Sequence, residues 1–184
     1  MQSGRPRRAS GGGEKSPPVR HGAREAAEKD PSLRLKTAVA ILKRLPRTGW
    51  VELGVKRAET VASHSYGVAF LAMVEASRRN LEVLKAVEMA LIHDLPESYL
   101  GDLTPAVKQR IPPRLLTVVE KSVFNQLIHS LPPGLRQRYA ERYSEYLSRR
   151  SAEARLVHKL DRVDLLHEAS WLKKHHGLDT SRFT

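Results

Sequence analysis

From Leu33 to Gly177 apolar residues recur at helical spacing, and no segment sustains the alternation of a strand. That pattern confines the chain to helices packed on helices. LRLKTAVAILKRL spaces Leu33, Ala38, Ile41, Leu42 and Leu45 along one amphipathic helix, which PRTGW (residues 46–50) breaks. A structured loop is expected from there to Glu59. Thr60 can cap a second helix, TVASHSYGVAFLAMVEASRR, that ends before Asn80. Glu82 to His93 reads as a third, mostly apolar and therefore central. Thr104-Pro105 starts a short helix limited by Pro112-Pro113, and Arg114–Leu131 and Gly134–Leu147 read as two more. Ser151 opens a long last helix that stops near Gly177. The expected fold class is all-α, a compact helical bundle.

A chain of 184 residues suits one domain with a real core and is short for two. Its opening, MQSGRPRRASGGGEKSPPVR, has three consecutive glycines, three prolines and no apolar periodicity. Residues 1–28 are therefore expected to form a disordered, basic, Gly/Pro-rich tail, and residues 29–180 a single domain. The first thirty residues contribute +3 of the net charge of +12, so the body is basic in its own right. Such a field attracts nucleic acid or small anionic substrates. No cysteine is present, which removes disulfides and thiolate metal sites. No apolar run reaches the roughly 20 residues of a membrane helix, and a cytoplasmic location is expected.

In ALIHDLPESYLGD, Ala90 to Asp102, an apolar run ends on His93-Asp94, with Glu97 and Asp102 close behind. An adjacent His-Asp pair is costly to desolvate without partners. The pair either reaches solvent at a helix end or holds a metal. His64 lies in the second apolar helix, where an ordinary histidine is the bland alternative. Asp161, in VHKLDRVDLL, falls close to the apolar stripe of the last helix, and a buried carboxylate needs a partner. A cation is one solution and an arginine is another. Two imidazoles and two carboxylates together would make a mixed N/O site suited to Mn, Co, Ni, Fe or Zn.

The order histidine, His-Asp pair, distant aspartate resembles the HD-domain phosphohydrolases, matched here by His64, His93-Asp94 and Asp161. ETVASHS (residues 59–65) and ALIHDLPESYLGDLTP (residues 90–105) are similar to the two signature blocks of the HD-type 5'-deoxynucleotidases. PRTGW and EARLVHKLDRVDLLHEA extend the likeness. It departs at Ser63, where close relatives often carry an acidic residue, and at Pro96 within the second block. The resemblance implies an HD-type bundle binding one divalent ion per active site through His64, His93, Asp94 and Asp161, with Mg disfavoured. It further implies that Glu97 handles the attacking water and that Asp102 assists near the leaving oxygen. Arg47 is expected to contact phosphate, and Trp50 to lie near the sugar and exclude a 2'-hydroxyl. Glu120 and Lys121 are read as surface or supporting groups, Lys108 and Arg110 as candidates for an anion entrance, and Asp164 and Glu168 as an extension toward a homodimer contact.

The implied function is hydrolysis of 2'-deoxyribonucleoside 5'-monophosphates to deoxynucleoside and phosphate. The alternatives are an HD phosphohydrolase for a ribonucleotide, cyclic nucleotide or alarmone, and a helical nucleic-acid-binding domain. Against the last, no helix gathers basic residues on one face, and no aromatic-basic interleaving suggests a single-strand platform.

Overall fold

The computed structural model describes residues 32–183, so the expected tail over residues 1–28 lies outside the described residues. Helix boundaries follow local chemistry. Thr60 Oγ1 accepts the Ser63 N–H at 3.1 Å and starts Val61–Arg78, and Ser151 Oγ accepts the Ala154 N–H at 3.1 Å and starts Ala152–His176. Gly177, with a φ of 66°, closes that last helix in the left-handed region. In chain order the helices are α1 (Leu33–Leu42), α2 (Thr48–Glu52), α3 (Val61–Arg78), α4 (Val83–Ile92) and α5 (Glu97–Leu100). They continue as α6 (Pro105–Lys108), α7 (Pro113–Ile128), α8 (Pro133–Ser148) and α9 (Ala152–His176), before a 3-10 turn at Ser181–Phe183.

The all-α expectation holds. Among the described residues the only β pairing is an isolated antiparallel bridge between Pro46 and Thr60. Two local expectations need correction. The loop from PRTGW to Glu59 contains α2, too short to show a helical period in sequence. Ile41 is 38 % exposed, because α1 buries Ala38 and Leu42 instead. Glu97 lies beyond the end of α4, as the sequence reading of a helix ending at His93 implies. The chain turns at His93–Pro96 through i to i−3 bonds (Leu95 N–H to Ile92 O at 3.2 Å, Glu97 N–H to Asp94 O at 3.0 Å) and restarts as α5. Pro96 has no N–H to extend the α4 ladder.

The core is built on α3 and α4, which pack extensively on each other, with α9 laid across both. Alanines at the contact (Ala69, Ala72 and Ala76 on α3; Ala86 and Ala90 on α4) keep the opposing surfaces thin and let the backbones approach. Phe124 and Tyr143 stack at 4.1 Å and join α7 and α8 to this core. A second cluster of Trp50, Ala169, Leu172 and Phe183 fastens α2 and the C-terminal turn to α9. The consequence is that the second turn of α3, the C-terminus of α4 and the middle of α9 meet at one place.

Candidate metal centre and active site

His64 from α3, His93 and Asp94 from the end of α4, and Asp161 from α9 converge there. His64 is fully buried and His93 is 5 % exposed. His64 Nε2 lies 3.1 Å from Asp161 Oδ1 and 3.8 Å from Asp94 Oδ2, and His93 Nε2 lies 3.1 Å from that same Asp94 oxygen. One donor atom each from His64, His93 and Asp161 fits within 4.8 Å.

The other ring nitrogens determine what these atoms offer. His93 Nδ1 is 2.6 Å from Ala90 O, so Nδ1–H donates to the carbonyl and Nε2 carries a lone pair. Nε2 is buried with no hydrogen-bond partner, and the nearby Asp94 oxygen is another acceptor. His64 Nδ1 is 2.7 Å from Asp164 Oδ2, leaving Nε2 to face Asp161 and Asp94. A ring nitrogen facing a carboxylate is satisfied by a proton or by a cation held between the two, and several such pairs converging on one point favour the cation. The residues present therefore fit a divalent ion.

The electrostatics agree. Burial alone would lower the His64 pKa, but hydrogen bonds to Asp161 and Asp164 outweigh it and raise the pKa to about 10. Burial pushes the Asp94 carboxyl up, but His93, Arg47 and His64 together hold it well below the usual carboxylate range. Four groups from distant segments thus create a demand for positive charge that a metal can satisfy.

Glu97 opens α5 beside this centre and is 7 % exposed, with Oε2 lacking a partner. Burial, helped by the Asp94 charge, raises its pKa to about 9. Lys108 Nζ approaches its other oxygen at 3.6 Å. Gly101, with a φ of 77°, ends α5 and turns the chain so that Asp102 returns toward α2. There Asp102 Oδ2 accepts the Thr48 N–H, and Thr48 Oγ1 donates to Asp102 O at 2.7 Å. Arg47 completes the rim, 3.2 Å from Asp94 and 3.8 Å from Asp102. Trp50 is buried against Phe183 with ring centroids 4.4 Å apart, and its Nε1–H donates to Glu59 at 3.2 Å.

Two cavities, of about 290 and about 320 Å³, share Asp94, Glu97, Leu103, Lys108 and Asp161 as a common wall. The first is backed by Tyr143 and Tyr146, the second by Arg47, Trp50, Arg182 and Phe183. The structure brings together the eight residues expected to bind metal or substrate or to act in catalysis, with Trp50 forming part of a buried wall. Ser63, the first departure from the family pattern, bonds Thr60 at 2.9 Å in the α3 cap. Lys108 faces the cavities, whereas Lys121 bonds Ser144 at 3.1 Å away from them. Sequence reasoning read Asp164 as part of a face toward a dimer contact, whereas it turns to His64, and it missed Phe183, which has no motif to mark it.

This bundle, with its His, His-Asp and Asp groups converging on one point, is the arrangement of an HD domain. A family model described as HD domain matches residues 39–183. The human protein named 5'-deoxynucleotidase HDDC2 is 39 % identical over 150 residues, covering 82 % of this chain and 69 % of the human one. The Dictyostelium discoideum protein of the same name is 30 % identical, covering 75 % of this chain and 76 % of that one. Among solved structures, the PH0347 protein of Pyrococcus horikoshii superposes with a TM-score of 0.68 at 30 % identity, covering 81 % of this chain and 84 % of its own. The chain belongs to the HD-domain family, within the group that contains the HDDC2 5'-deoxynucleotidases.

Proposed function

We propose that this protein hydrolyses 2'-deoxyribonucleoside 5'-monophosphates to deoxynucleoside and phosphate, using one divalent ion held by His64, His93, Asp94 and Asp161. The observation that carries this reading is the buried, unpartnered Nε2 of His93 facing Asp94 at 3.1 Å, in a chain 39 % identical to a 5'-deoxynucleotidase. A divalent ion there supplies Lewis acidity, acidifying water and neutralising phosphoryl charge. Mn, Co, Ni, Fe and Zn suit the mixed donor set better than Mg.

The chain's own groups do the rest. Arg47 holds the phosphate with its planar donors, oriented by Asp94 and Asp102. Glu97, with Oε2 free of partners, aligns the attacking water, and the positive charge of a bound ion would bring its raised pKa down so that it can take the proton. Asp102, fixed by the Thr48 N–H, serves the departing 5'-oxygen. Lys108 balances charge on the shared wall. The wall of Trp50 and Phe183 offers no hydrogen-bond partner to a 2'-hydroxyl, since the indole N–H is committed to Glu59. Such exclusion discriminates about 10²-fold. A homodimer completes the reading, supported by exposed Tyr66, Phe70 and Met73 on α3. So do a cytoplasmic location, where nucleotide substrates are available, and a tail over residues 1–28 ahead of one domain.

The deciding experiment strips the protein of metal and measures phosphate release from deoxy- and ribonucleoside monophosphates, adding Mg, Mn, Co, Ni and Zn separately. Faster release from the deoxy series with Mn or Co than with Mg is expected. Equal kcat/KM for dAMP and AMP with every ion would discard the deoxy preference and leave a phosphohydrolase. No release from any nucleotide, with tight salt-dependent RNA binding, would replace the enzyme by a nucleic-acid-binding domain.

A further inference from the structure

Gly67 stands in the interior of α3, three residues after His64, where glycine weakens a helix relative to alanine. Its backbone needs no left-handed conformation, so freedom of φ does not explain it. Contact does. A Cβ placed on Gly67 would meet Asp164 Oδ1 at 2.5 Å and Asp164 Cγ at 3.2 Å. The other Asp164 oxygen is the one 2.7 Å from His64 Nδ1. Asp164 therefore reaches His64 from α9 by passing over the bare backbone of Gly67.

We propose that Asp164 is a positioning residue that holds His64 with its proton on Nδ1 and its Nε2 lone pair toward the metal centre, and that Gly67 is the clearance this contact needs. The inference rests on His64 being a metal ligand, as proposed above. An imidazole buried without this contact could rotate or exchange tautomers, and Nε2 would lose its aim at Asp161 and Asp94. A carboxylate behind the ring also makes the ligating nitrogen more basic. Unlike His93, which a carbonyl one turn back on its own helix secures, His64 depends on a residue 100 positions away.

The two positions act as a unit, which gives a test that simple destabilisation would not reproduce. Mn affinity of the full-length, metal-stripped protein is measured by competition with a chelating dye. Helix content and melting are followed in parallel, and the His64 tautomer is read from imidazole nitrogen shifts with diamagnetic Zn bound. Asp164→Ala is expected to weaken Mn binding about 10- to 100-fold. Asp164→Asn, whose amide oxygen can accept the same N–H, should recover most of that loss. Gly67→Ala should weaken binding in the native background, yet cause no further loss and raise the melting temperature in the Asp164→Ala background, where nothing remains to clash. Native affinity in both single variants, or additive losses in the double one, would overturn the proposal. Two ions per native chain falling to one in Asp164→Ala would also overturn it, because Asp164 would then ligate a second ion beside Glu59. A native protein that takes up no ion at all overturns the metal-site reading itself, and this inference with it.

Discussion

The Arg47 guanidinium lies 3.2 Å from the Asp94 carboxylate, joining the segment before α2 to the end of α4 across 47 residues of sequence. The cation is partly buried on the cavity rim, and Asp94 and Asp102 orient it before any substrate arrives. Burial would lower its pKa, but the carboxylates around it, Asp94 foremost, raise it instead, so it stays charged. Arg47→Lys keeps the charge and loses the planar fork. Its KM for a deoxynucleotide should rise about 10-fold with kcat changing less, as steady-state kinetics on matched metal loading would show. An unchanged KM would remove Arg47 from the phosphate site.

Asp161 and His64 together predict how metal uptake responds to pH. Without a cation, the His64 pKa is raised to about 10, so at neutral pH the ring holds a second proton that an ion must displace. Metal binding between pH 7 and 9 should therefore release protons, and affinity should weaken as pH falls. Titration calorimetry in buffers of different ionisation enthalpy measures both. Asp161→Ala removes a candidate ligand and should abolish stoichiometric metal in elemental analysis. Full metal and full rate in that variant would refute the ligand set.

Glu97 should separate activity from stability. Its pKa is raised from 4.5 to about 9, by burial first and by the Asp94 charge second. A raised pKa means that its stabilising contribution is complete below about pH 4.5 and is lost as pH climbs toward 9. Glu97→Gln keeps the shape and never ionises. Metal-free Glu97→Gln should exceed the native protein in urea resistance, with a margin that widens from acid to alkaline pH. Its phosphatase rate, with metal bound, should fall about 10²- to 10⁴-fold.

Far from the site, Lys85 of α4 ties α8 to the start of α9, with Nζ 2.6 Å from Glu145 and 3.3 Å from Glu153. Glu153 also accepts the Glu82 N–H at 3.3 Å. Burial is the largest single influence and raises both carboxyls, but hydrogen bonds and the Lys85 charge together outweigh it and leave them below their ordinary value. Their contribution is present above the ordinary carboxylate pKa and disappears as pH falls through the depressed one. Lys85→Met should cost about 1–2 kcal/mol at pH 7, and less at an acid pH where both carboxyls are protonated. Urea unfolding at the two pH values tests the sign. An equal loss at both would mean that the side chain's packing matters and its charge does not.

Much of this was legible in residues close together in sequence. Helical spacing, the Thr60 and Ser151 caps and the stop at Gly177 are local properties, and each appears where the sequence placed it. The His64, His93-Asp94 and Asp161 pattern could be recognised for the same reason, since two of its blocks are short and contiguous. What could not be read were contacts between remote segments. The five-residue α2 is held by the Pro46–Thr60 bridge and by Phe183 against Trp50, so its own sequence carries no period to reveal it. The turn at Pro96 aims Glu97 into the cavity from a new four-residue helix, too short to show a period in sequence. Asp164 looks like any other charge on an amphipathic helix until α9 crosses α3 at Gly67 and delivers it to His64. Local sequence determines which backbone segments form helices and which faces are apolar, because those depend on neighbours within one turn. Only tertiary packing decides which polar groups lose their water, and therefore which of them must find each other or a cation.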